Sequence, residues 1–486
     1  MDAEVLMQAD RCAHWVLHAS RSALHEAGHD PARGHQRTGA ILGHLSLPLP
    51  AQARFAIAVW LQQWAQTQSQ PELARMVTQP LPAAFNRYMS TLPTRLMARA
   101  LGLGADAFTL DAACASSLYA LKLACDALVD GRADLMLAGA ACGTDPMFLH
   151  IGFRALKALS RTGQSRPFDR QANGLVPSEG AVVVALKRLA GAQAAGDRIL
   201  GVIRGIGLPN DGGAAGLLVP SSDGQVRAMR RALEVAELEP SEVSLLECHA
   251  TGTPVGDGVE LASIGQVYGG CRALPIGSLK SQMGHLLTVS GGAGLLKVLA
   301  AFDADVLPCS RPVEAPIEAL AKAPVRLIEG EEPWPTGARR LAGISSFGFG
   351  GNNAHLLVEA YEPGRRGGMH AAPVPSSPPP APIPLAVIGL GVISGTAANT
   401  SQFVRALLDG SDGLQAHPLL GRCGLADAFE LAPQDIRFPP RDLADSLPQQ
   451  VMLLKAVGEA LATVRHLPSD RTGVLAGMQC DPEIAR

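Results

Sequence analysis

Apolar and polar positions alternate along the chain in a way that separates strand-like from helix-like stretches. Leu118, Leu121, Cys125 and Leu128 recur at intervals of three and four, which predicts an amphipathic helix that stops at Gly131. Short apolar runs favour buried strands, namely DLMLAGAAC, EGAVVVALKRL and VSLLECHA, whereas QVRAMRRALEVAEL and GGAGLLKVLAAFDADVL favour helices. Strands that alternate with helices predict a largely buried mixed or parallel sheet, covered by helices on both faces.

One segment interrupts this pattern. Residues 362–384, EPGRRGGMHAAPVPSSPPPAPIP, are rich in Pro, Gly and Ala. Such a composition is typical of an extended linker, because proline lacks a backbone donor and holds the chain extended. We therefore expect one domain over residues 1–361 and a second over residues 385–486.

The two ends of the chain resemble each other. HASRSALHEAGHDPARGHQRTGAILGH and MLLKAVGEALATVRHLPSDRTGVLAGM each show a helical pattern, a polar break, Arg-Thr-Gly and a short apolar strand, with Arg37 and Arg471 lying 434 positions apart (471 − 37). Two tandem copies of one large domain would explain this, and chance similarity is the alternative. The strand IPLAVIGLG precedes the second copy, whereas only 36 residues precede Arg37. We therefore expect the first copy to lack its opening strand and the chain to be truncated at both ends.

Composition excludes several classes of protein. Hydrophobic residues make up 47% and charged residues 17% of 486 positions, which indicates well-filled cores. The net charge of −3 gives no basic excess for nucleic acid. Nine cysteines without CxxC spacing predict neither a disulfide framework nor a zinc site, and favour the cytoplasm. The sequence predicts neither a signal peptide nor a membrane span. GLGVISG has the wrong spacing for a dinucleotide motif.

Four stretches contain candidate catalytic groups. Cys114, in FTLDAACASSLYALKLACD, lies where a strand-like run gives way to a helix. Free N–H groups and the helix dipole would favour a thiolate there, although a small buried cysteine is the plainer interpretation. His249 follows the strand VSLLE, and Lys280 and His285 lie in IGSLKSQMGHLLTVSGG. Each histidine alone could be structural.

The fourth stretch, GISSFGFGGNNAHLLVEAY, is glycine-rich around Phe349. Its backbone N–H groups could approach a ligand closely and form half of an oxyanion hole, whereas an ordinary turn between strands is the alternative. Together the four stretches suit carbon–carbon bond formation through a thioester. A cysteine thiolate would accept an acyl group, and two neutral imidazoles would donate hydrogen bonds to an oxygen that gains negative charge.

These stretches resemble the motifs of the β-ketoacyl synthases, the condensing enzymes of the thiolase-like superfamily. The matching segments are DAACASS, CHATGT, KSQMGHLLTVSG and SFGFGGNNAH, with Ala250 where Gly is usual and Asn352 where Thr is usual. The resemblance covers residues 1–361, and residues 385–486 are similar to the start of a second such domain. Within the family, the chain is most similar to subunits of polyunsaturated fatty acid synthases, in which a ketosynthase precedes a chain-length-factor domain. Modular polyketide synthases share most of these features.

The resemblance implies a layered αβαβα fold with two mixed sheets, followed by the start of a second similar domain. It also implies site residues. Cys114 would be acylated, His249 and His285 would assist decarboxylation of a malonyl-carrier thioester, and Lys280 would pair with Glu260. The N–H groups of Cys114 and Phe349 would form the oxyanion hole, and Phe349 would gate the acyl pocket. The substrate-binding set would be Thr251, Thr253, Phe349 and Gly350, with the two threonines on the phosphopantetheine arm.

The resemblance further implies an acyl carrier protein as partner, no metal or directly bound cofactor beyond the phosphopantetheine arm that carries the substrate, and a homodimer or association with other synthase domains. We therefore predict a cytoplasmic 3-oxoacyl-carrier-protein synthase that acts in fatty acid or polyketide biosynthesis. Two alternatives remain. One is a catalytically silent scaffold that binds a carrier protein, and the other is a thiolase-like enzyme that uses coenzyme A esters.

Overall fold

A computed structural model describes residues 3–67, 91–212, 219–362, 384–417, 421–426, 446–468 and 471–478, together with the single residues 431 and 443. The chain divides into two compact units, of which the first comprises Met1–Pro379 with Ala485–Arg486 and the second comprises Pro380–Ile484. Most of the predicted linker, residues 363–383, lies outside the described residues.

The first unit alternates helices and strands along its length. Its helices are α1 (Ala3–Gln8), α2 (Arg11–Glu26), α3 (Pro50–Thr67), α4 (Leu92–Leu101), α5 (Ser116–Val129), α6 (Pro146–Ala155), α7 (Leu189–Ala195), α8 (Ser222–Ala236), α9 (Gly256–Tyr268), α10 (Lys280–Met283), α11 (Ser290–Ala304) and α12 (Glu318–Lys322). Its strands are β1 (Thr38–Gly43), β2 (Ala107–Leu110), β3 (Leu135–Cys142), β4 (Gly180–Leu186), β5 (Val202–Gly207), β6 (Leu245–Glu247), β7 (Leu274–Gly277), β8 (Val306–Leu307), β9 (Val325–Leu327), β10 (Glu332–Pro333), β11 (Leu341–Phe347) and β12 (Asn353–Glu359).

The strands of the first unit form two main sheets. The first has the order β2-β1-β3-β4, in which β1 runs parallel to both neighbours and β4 is antiparallel. The second has the order β5-β12-β11-β6-β7-β9, in which β11, β6, β7 and β9 are parallel. Both sheets are mixed, and the helices and strands that the hydrophobic pattern predicted are confirmed, including the helix over Leu118–Leu128.

Helices cover both faces of each sheet, which gives five layers. In the central layer, Leu121 of α5 and Val298 of α11 pack between Ile41 of the first sheet and Ile344 of the second. The outer layers pack α2 and α4 on the first sheet, and α8 and α9 on the second. The fold is therefore the predicted αβαβα arrangement, and the apolar character of α5 and α11 follows from burial between two sheets.

The helix α11, with the turn before it, is long and apolar. Residues Leu287–Ala304 would suffice by length and composition to cross a membrane, but 67% of this segment is buried inside the protein. Such burial is typical of a core helix.

The second unit is smaller. It contains α13 (Thr400–Asp409), β13 (Gln415–His417), β14 (Gly421–Cys423) and α14 (Pro448–Ala462), and β13 and β14 form an antiparallel pair. Glu459 joins the two helices, because its carboxylate accepts hydrogen bonds from the backbone N–H and the hydroxyl of Thr400 at 3.0 and 2.9 Å.

The glycines of GLGVISG serve packing in this unit. A Cβ atom added at Gly389 or Gly391 would lie 2.0 or 1.7 Å from the carbonyl oxygens of Ala460 and Ala456 on α14. Close approach of two backbones explains why glycine stands at both positions.

Two predicted strands of the second unit are not strands in the structure. The segments around IPLAVIGLG and after Arg471 are irregular, and Leu385 and Leu475 are 93% and 97% exposed. A strand needs a neighbour for its backbone groups, and in the described part of this unit only β13 and β14 pair. By contrast, Arg37-Thr-Gly of the first unit leads into β1, which pairs on both sides.

Candidate active site

Cys114 lies in a tight turn between β2 and α5, where the sequence predicts a strand-to-helix junction. The turn Ala113–Ala115 is a short 3-10 helix, and Ala113 adopts a positive φ of 50°. Two side chains hold this unusual backbone, because Ser116 Oγ accepts the N–H of Ala112 at 2.9 Å and Asp111 Oδ1 accepts the N–H of Ala113 at 2.9 Å. A strained residue next to a candidate nucleophile fixes the direction of its side chain.

The other candidate groups lie beyond the carboxyl ends of parallel strands in the second sheet. His249 follows β6, Lys280 and His285 follow β7, and Phe349 follows β11. Because parallel strands end at the same edge of a sheet, the topology brings these residues together. Between β7 and His285 lie the single turn of α10 and Gly284.

The thiol and the two imidazoles converge. His285 Nε2 lies 3.2 Å from Cys114 Sγ, and the ring centroids of His249 and His285 are 5.3 Å apart. The sulfur and one nitrogen of each ring all lie within 4.8 Å of one another. The edge of the His249 ring also packs against Phe347, at 5.7 Å between centroids, a neighbour that the sequence analysis did not single out.

Burial opposes the effect by which free N–H groups and the helix dipole are expected to favour a thiolate at Cys114. Burial raises the pKa of Cys114 to about 12, although the charge of Lys280 and the N–H of Phe349 act in the opposite direction. Desolvation of a buried anion outweighs the favourable dipole. Burial therefore favours the neutral thiol of Cys114.

Both imidazoles are neutral, as the predicted chemistry requires. Burial lowers the pKa of His249 and of His285 well below 6.5, and the positive charge of Lys280 adds to the effect in each case. His285 is only 1% exposed, so water does not offset this penalty.

The predicted ion pair between Lys280 and Glu260 is not formed within 4.0 Å. The two oxygens of Glu260 instead accept the backbone N–H groups of His249 and Ala250, both at 2.7 Å. Burial raises the pKa of Glu260 to about 7, against the effect of these bonds and of Lys280. Glu260 thus holds the backbone of the first histidine, and its charge acts on Lys280 over a longer distance.

The segment that carries Lys280 is held by a second buried carboxylate. Glu247, at the end of β6, accepts the N–H of Leu279 at 2.6 Å and forms an ion pair of 2.7 Å with Lys297 of α11. Both charged side chains are almost fully buried, with 5% and 9% exposure. No local sequence pattern indicates this pair, because Glu247 and Lys297 lie 50 positions apart.

Thr251 and Thr253 lie in a loop that Asp257 organises. Their hydroxyl oxygens are 3.1 Å apart. Asp257 accepts the N–H groups of Thr251 and Gly252 at 3.0 and 3.2 Å, and that of Phe168 at 2.8 Å. Burial raises the pKa of Asp257 to about 6 despite these bonds. The sequence could have indicated this role, because Asp257 follows the two threonines closely and a nearby carboxylate often accepts hydrogen bonds from the backbone of a loop.

The glycine-rich turn reaches the cysteine through its backbone. The N–H of Phe349 acts on the sulfur of Cys114 and lowers its pKa, and Ser346 Oγ donates to the carbonyl oxygen of Cys114 at 2.5 Å. The ring of Phe349 packs near Phe153 of α6, with 6.0 Å between centroids.

Gly350, which the resemblance places in the substrate-binding set, does not line the cavity. It is exposed on the outer side of the turn, and its carbonyl oxygen accepts the side-chain N–H of Asn210 at 3.2 Å. Gly351, with a positive φ of 81°, lines the cavity instead. A glycine run gives no indication of which member faces inward.

The thiol and the two imidazoles line a cavity of about 240 Å³. Cys114, His249 and His285 are among the polar residues of its wall, and Leu156, Val219 and Phe349 are among the apolar ones. A cysteine and two histidines are also ligands that zinc uses. However, the positive charge of Lys280 acts on all three, so the site suits negative charge that develops on a substrate oxygen better than a cation.

Family models match nearly the whole of the described first unit. The β-ketoacyl synthase N-terminal domain matches residues 2–192, and the C-terminal domain matches residues 200–314. A ketoacyl-synthetase C-terminal extension matches residues 314–395.

Curated relatives are large synthases. One subunit of the polyunsaturated fatty acid synthase of Thraustochytrium sp. is 32% identical over 437 residues, which is 83% of this chain and 21% of that protein. A mycocerosic acid synthase-like polyketide synthase of Mycolicibacterium smegmatis is 39% identical over 282 residues, which is 57% of this chain and 13% of that protein. The chain thus spans a small part of the length of these relatives.

Solved structures agree with this assignment. The PfaC keto synthase-chain length factor has a TM-score of 0.83 and 30% identity, over 95% of this chain and 52% of that one. The ketosynthase from module 6 of the Bacillus subtilis bacillaene synthase has a TM-score of 0.62 and 30% identity, over 73% of this chain and 59% of that one. With this fold, these family matches and a cysteine that meets two histidines at the ends of its strands, the chain belongs to the β-ketoacyl synthase family of condensing acyltransferases.

Proposed function

We propose that the chain elongates an acyl group by decarboxylative Claisen condensation with a malonyl-carrier thioester. The observation that carries this proposal is the convergence of the Cys114 sulfur and both imidazoles within 4.8 Å in the lining of one cavity. No second set of groups is needed for the two half-reactions, because acyl transfer uses the thiol and decarboxylation uses the imidazoles.

In the first half-reaction, Cys114 Sγ attacks the carbonyl carbon of an acyl-carrier thioester. The carbon–sulfur bond to the carrier breaks, and the carrier thiol leaves with the proton that the cysteine loses. The N–H groups of Cys114 and Phe349 stabilise the negative oxygen of the tetrahedral intermediate. The Phe349 N–H acts on the sulfur and lowers the pKa of Cys114, which supports this role.

In the second half-reaction, a malonyl-carrier thioester loses carbon dioxide and becomes an enolate. His249 and His285 donate hydrogen bonds to the enolate oxygen, and Lys280 adds positive charge. The enolate carbon attacks the acyl group on Cys114, so the acyl–sulfur bond breaks and a β-ketoacyl carrier forms. Cys114 leaves as a thiolate and takes up a proton from solvent, which restores the thiol. Glu260 holds the backbone of His249, and Thr251 and Thr253 bind the phosphopantetheine arm that carries both substrates.

An acidic acyl carrier protein is the partner that the surface near the cavity favours. No Asp or Glu occurs between Pro146 and Phe168, whereas Arg154, Lys157 and Arg161 are exposed in that interval. The same stretch contains Leu156, which lines the cavity. Opposite charges would guide the carrier to the entrance, so its apparent affinity should fall as salt rises.

We also propose that the second unit is the start of a second ketosynthase-like domain, such as a chain-length factor, joined to the first through residues 362–384. The similarity to the PfaC keto synthase-chain length factor over 95% of the chain supports this. Limited proteolysis should therefore cut first between residues 362 and 384. Homodimerisation and a cytoplasmic location remain predictions for the whole protein.

The test of the function uses the full chain with a long-chain acyl-carrier thioester and malonyl carrier. Mass spectrometry should find the acyl group on Cys114, and Cys114→Ala should lose it. His285→Ala should stop release of carbon dioxide, whereas Cys125→Ala, a change at another cysteine outside the site, should leave both steps intact. A folded chain that forms no adduct would instead support the scaffold alternative.

A further inference from the structure

Two hydrogen-bond donors converge on one nitrogen of His285. Ser290 Oγ lies 2.8 Å from Nδ1, and the backbone N–H of Leu287 points at the same atom from 3.3 Å. A backbone N–H has no lone pair, so Nδ1 must be an acceptor in this arrangement. A neutral imidazole whose Nδ1 accepts carries its proton on Nε2, the nitrogen 3.2 Å from Cys114 Sγ.

The backbone around the ring presents both donors. Leu287 has a positive φ of 50° in the turn that follows His285, and its N–H points at the imidazole. Ser290 is the first residue of α11 and is 7% exposed. Because the site is buried, water is poorly placed to replace either donor. The shorter contact is that of Ser290, so its hydroxyl is the stronger of the two bonds.

The other imidazole has no comparable support. Nδ1 of His249 is buried and has no hydrogen-bond partner among the described residues. The two histidines therefore differ, because hydrogen bonds fix the tautomer of His285 and leave that of His249 open. Nothing in the catalytic scheme above requires Ser290, since its hydroxyl touches neither the sulfur nor the cavity.

We propose that Ser290 is a positioning residue that locks His285 in the Nε2–H tautomer, so that this ring donates a hydrogen bond to the enolate oxygen. The role rests on the proposed function, because it assigns His285 to the decarboxylation step. Without the hydroxyl, only the 3.3 Å contact opposes the Nδ1–H tautomer. In that tautomer Nε2 presents a lone pair to the enolate and repels it.

The experiment compares wild type and Ser290→Ala as full chains. Nitrogen-15 NMR of histidine-labelled protein should show a protonated Nε2 and an unprotonated Nδ1 for His285 in wild type, with the ring assigned from the spectrum of His285→Gln. Ser290→Ala should move both nitrogens toward intermediate shifts. Decarboxylation of malonyl carrier should slow about three- to tenfold, the size expected for one hydrogen bond, while acylation of Cys114 stays within about twofold.

Two further variants separate positioning from folding. Ser290→Thr keeps the hydroxyl and should restore the wild-type ring pattern. Thr288→Val removes a buried hydroxyl that bonds the carbonyl oxygen of Ala141 at 2.8 Å, so it should lower the melting temperature without moving the ring nitrogens. A protonated Nδ1 in wild type, or an unchanged pattern in Ser290→Ala, overturns the proposal even if activity falls. Failure of the proposed function would instead appear as a wild-type chain that neither accepts acyl groups nor releases carbon dioxide.

Discussion

His285 Nε2 lies 3.2 Å from Cys114 Sγ, although 171 positions separate the two residues in the chain. The thiol comes from a turn at the edge of the first sheet, whereas the imidazole comes from the second sheet. The contact therefore depends on how the two sheets pack around α5 and α11. Changes that disturb this packing, or the charges beneath it, should affect the site in predictable ways.

The thiol of Cys114 should react slowly at neutral pH. Burial raises its pKa to about 12, so the thiolate fraction and the rate of alkylation should increase about tenfold per pH unit from pH 7 to 10. Because the pKa of Cys114 in the folded chain lies above the ordinary 9.0, the unfolded chain loses this proton first, and the free energy of unfolding should fall as pH rises from 9.0 to about 12. Iodoacetamide labelling of the Cys114 peptide measures the profile.

The same labelling tests the charge of Lys280. The positive charge lowers the pKa of Cys114, so Lys280→Met should slow alkylation further. Lys322→Met, a change at an exposed lysine of α12, is the matched control and should have no effect. A plateau in rate near pH 7 would show that the thiol ionises much more readily than its burial implies.

The buried pair of Glu247 and Lys297 should be necessary for stability. Lys297→Met leaves the carboxylate buried without its partner and should cost about 3–5 kcal/mol in the free energy of unfolding. The double change Glu247→Gln with Lys297→Met should recover part of the loss. Lys322→Met, which breaks an exposed pair with Glu318, should cost about 0–1 kcal/mol. Urea denaturation measures all three, and equal losses at both lysines would contradict the prediction.

Asp257→Asn should weaken the binding of the carrier more than it slows the chemistry. The substitution retains one acceptor oxygen but replaces the other with an amide N–H₂ group, which must face either the N–H of Phe168 or the N–H groups of the threonine loop, so we expect a loss of about 2–3 kcal/mol in stability. A disordered loop should raise the KM for acyl carrier severalfold and change kcat less. Steady-state kinetics measures both constants. A fall in kcat at unchanged KM would place Asp257 in the chemical step.

Gly43→Ala should disturb the cysteine turn. A Cβ atom at Gly43, the last residue of β1, would lie 2.5 Å from Cβ of Ser116, the residue that holds the turn and begins α5. The chain must shift at this point, so acylation should fall at least about tenfold if Cys114 moves by about 1 Å.

Gly191→Ala is the control for that change. Gly191 lies in α7, and a Cβ there meets no atom within 4 Å, so the substitution should stabilise the protein by about 0.5–1 kcal/mol and leave acylation unchanged. Thermal denaturation and the acylation assay measure the two effects. Normal acylation in Gly43→Ala would show that the turn tolerates displacement of α5.

The hydrophobic pattern determined the elements of the first unit. The spacing of Leu118, Leu121 and Leu128 gave α5, and the continuous apolar run DLMLAGAAC gave β3, which is buried along its whole length. These predictions succeed because the spacing of apolar residues along the chain reflects which face of a helix or strand is buried. In the second unit the same reasoning predicted strands that are not formed, because an apolar run becomes a strand only beside another strand.

The sequence also identified Cys114, His249, Lys280 and His285 as candidates, since each follows a strand-like or turn-like break in a distinctive motif. Only the tertiary structure decided what each group is. Burial favours the neutral thiol of Cys114 and keeps both imidazoles neutral. The carboxylate of Glu260 accepts hydrogen bonds from two backbone N–H groups and does not pair directly with Lys280. Desolvation and hydrogen bonding depend on neighbours far apart in the chain, so no local pattern contains them.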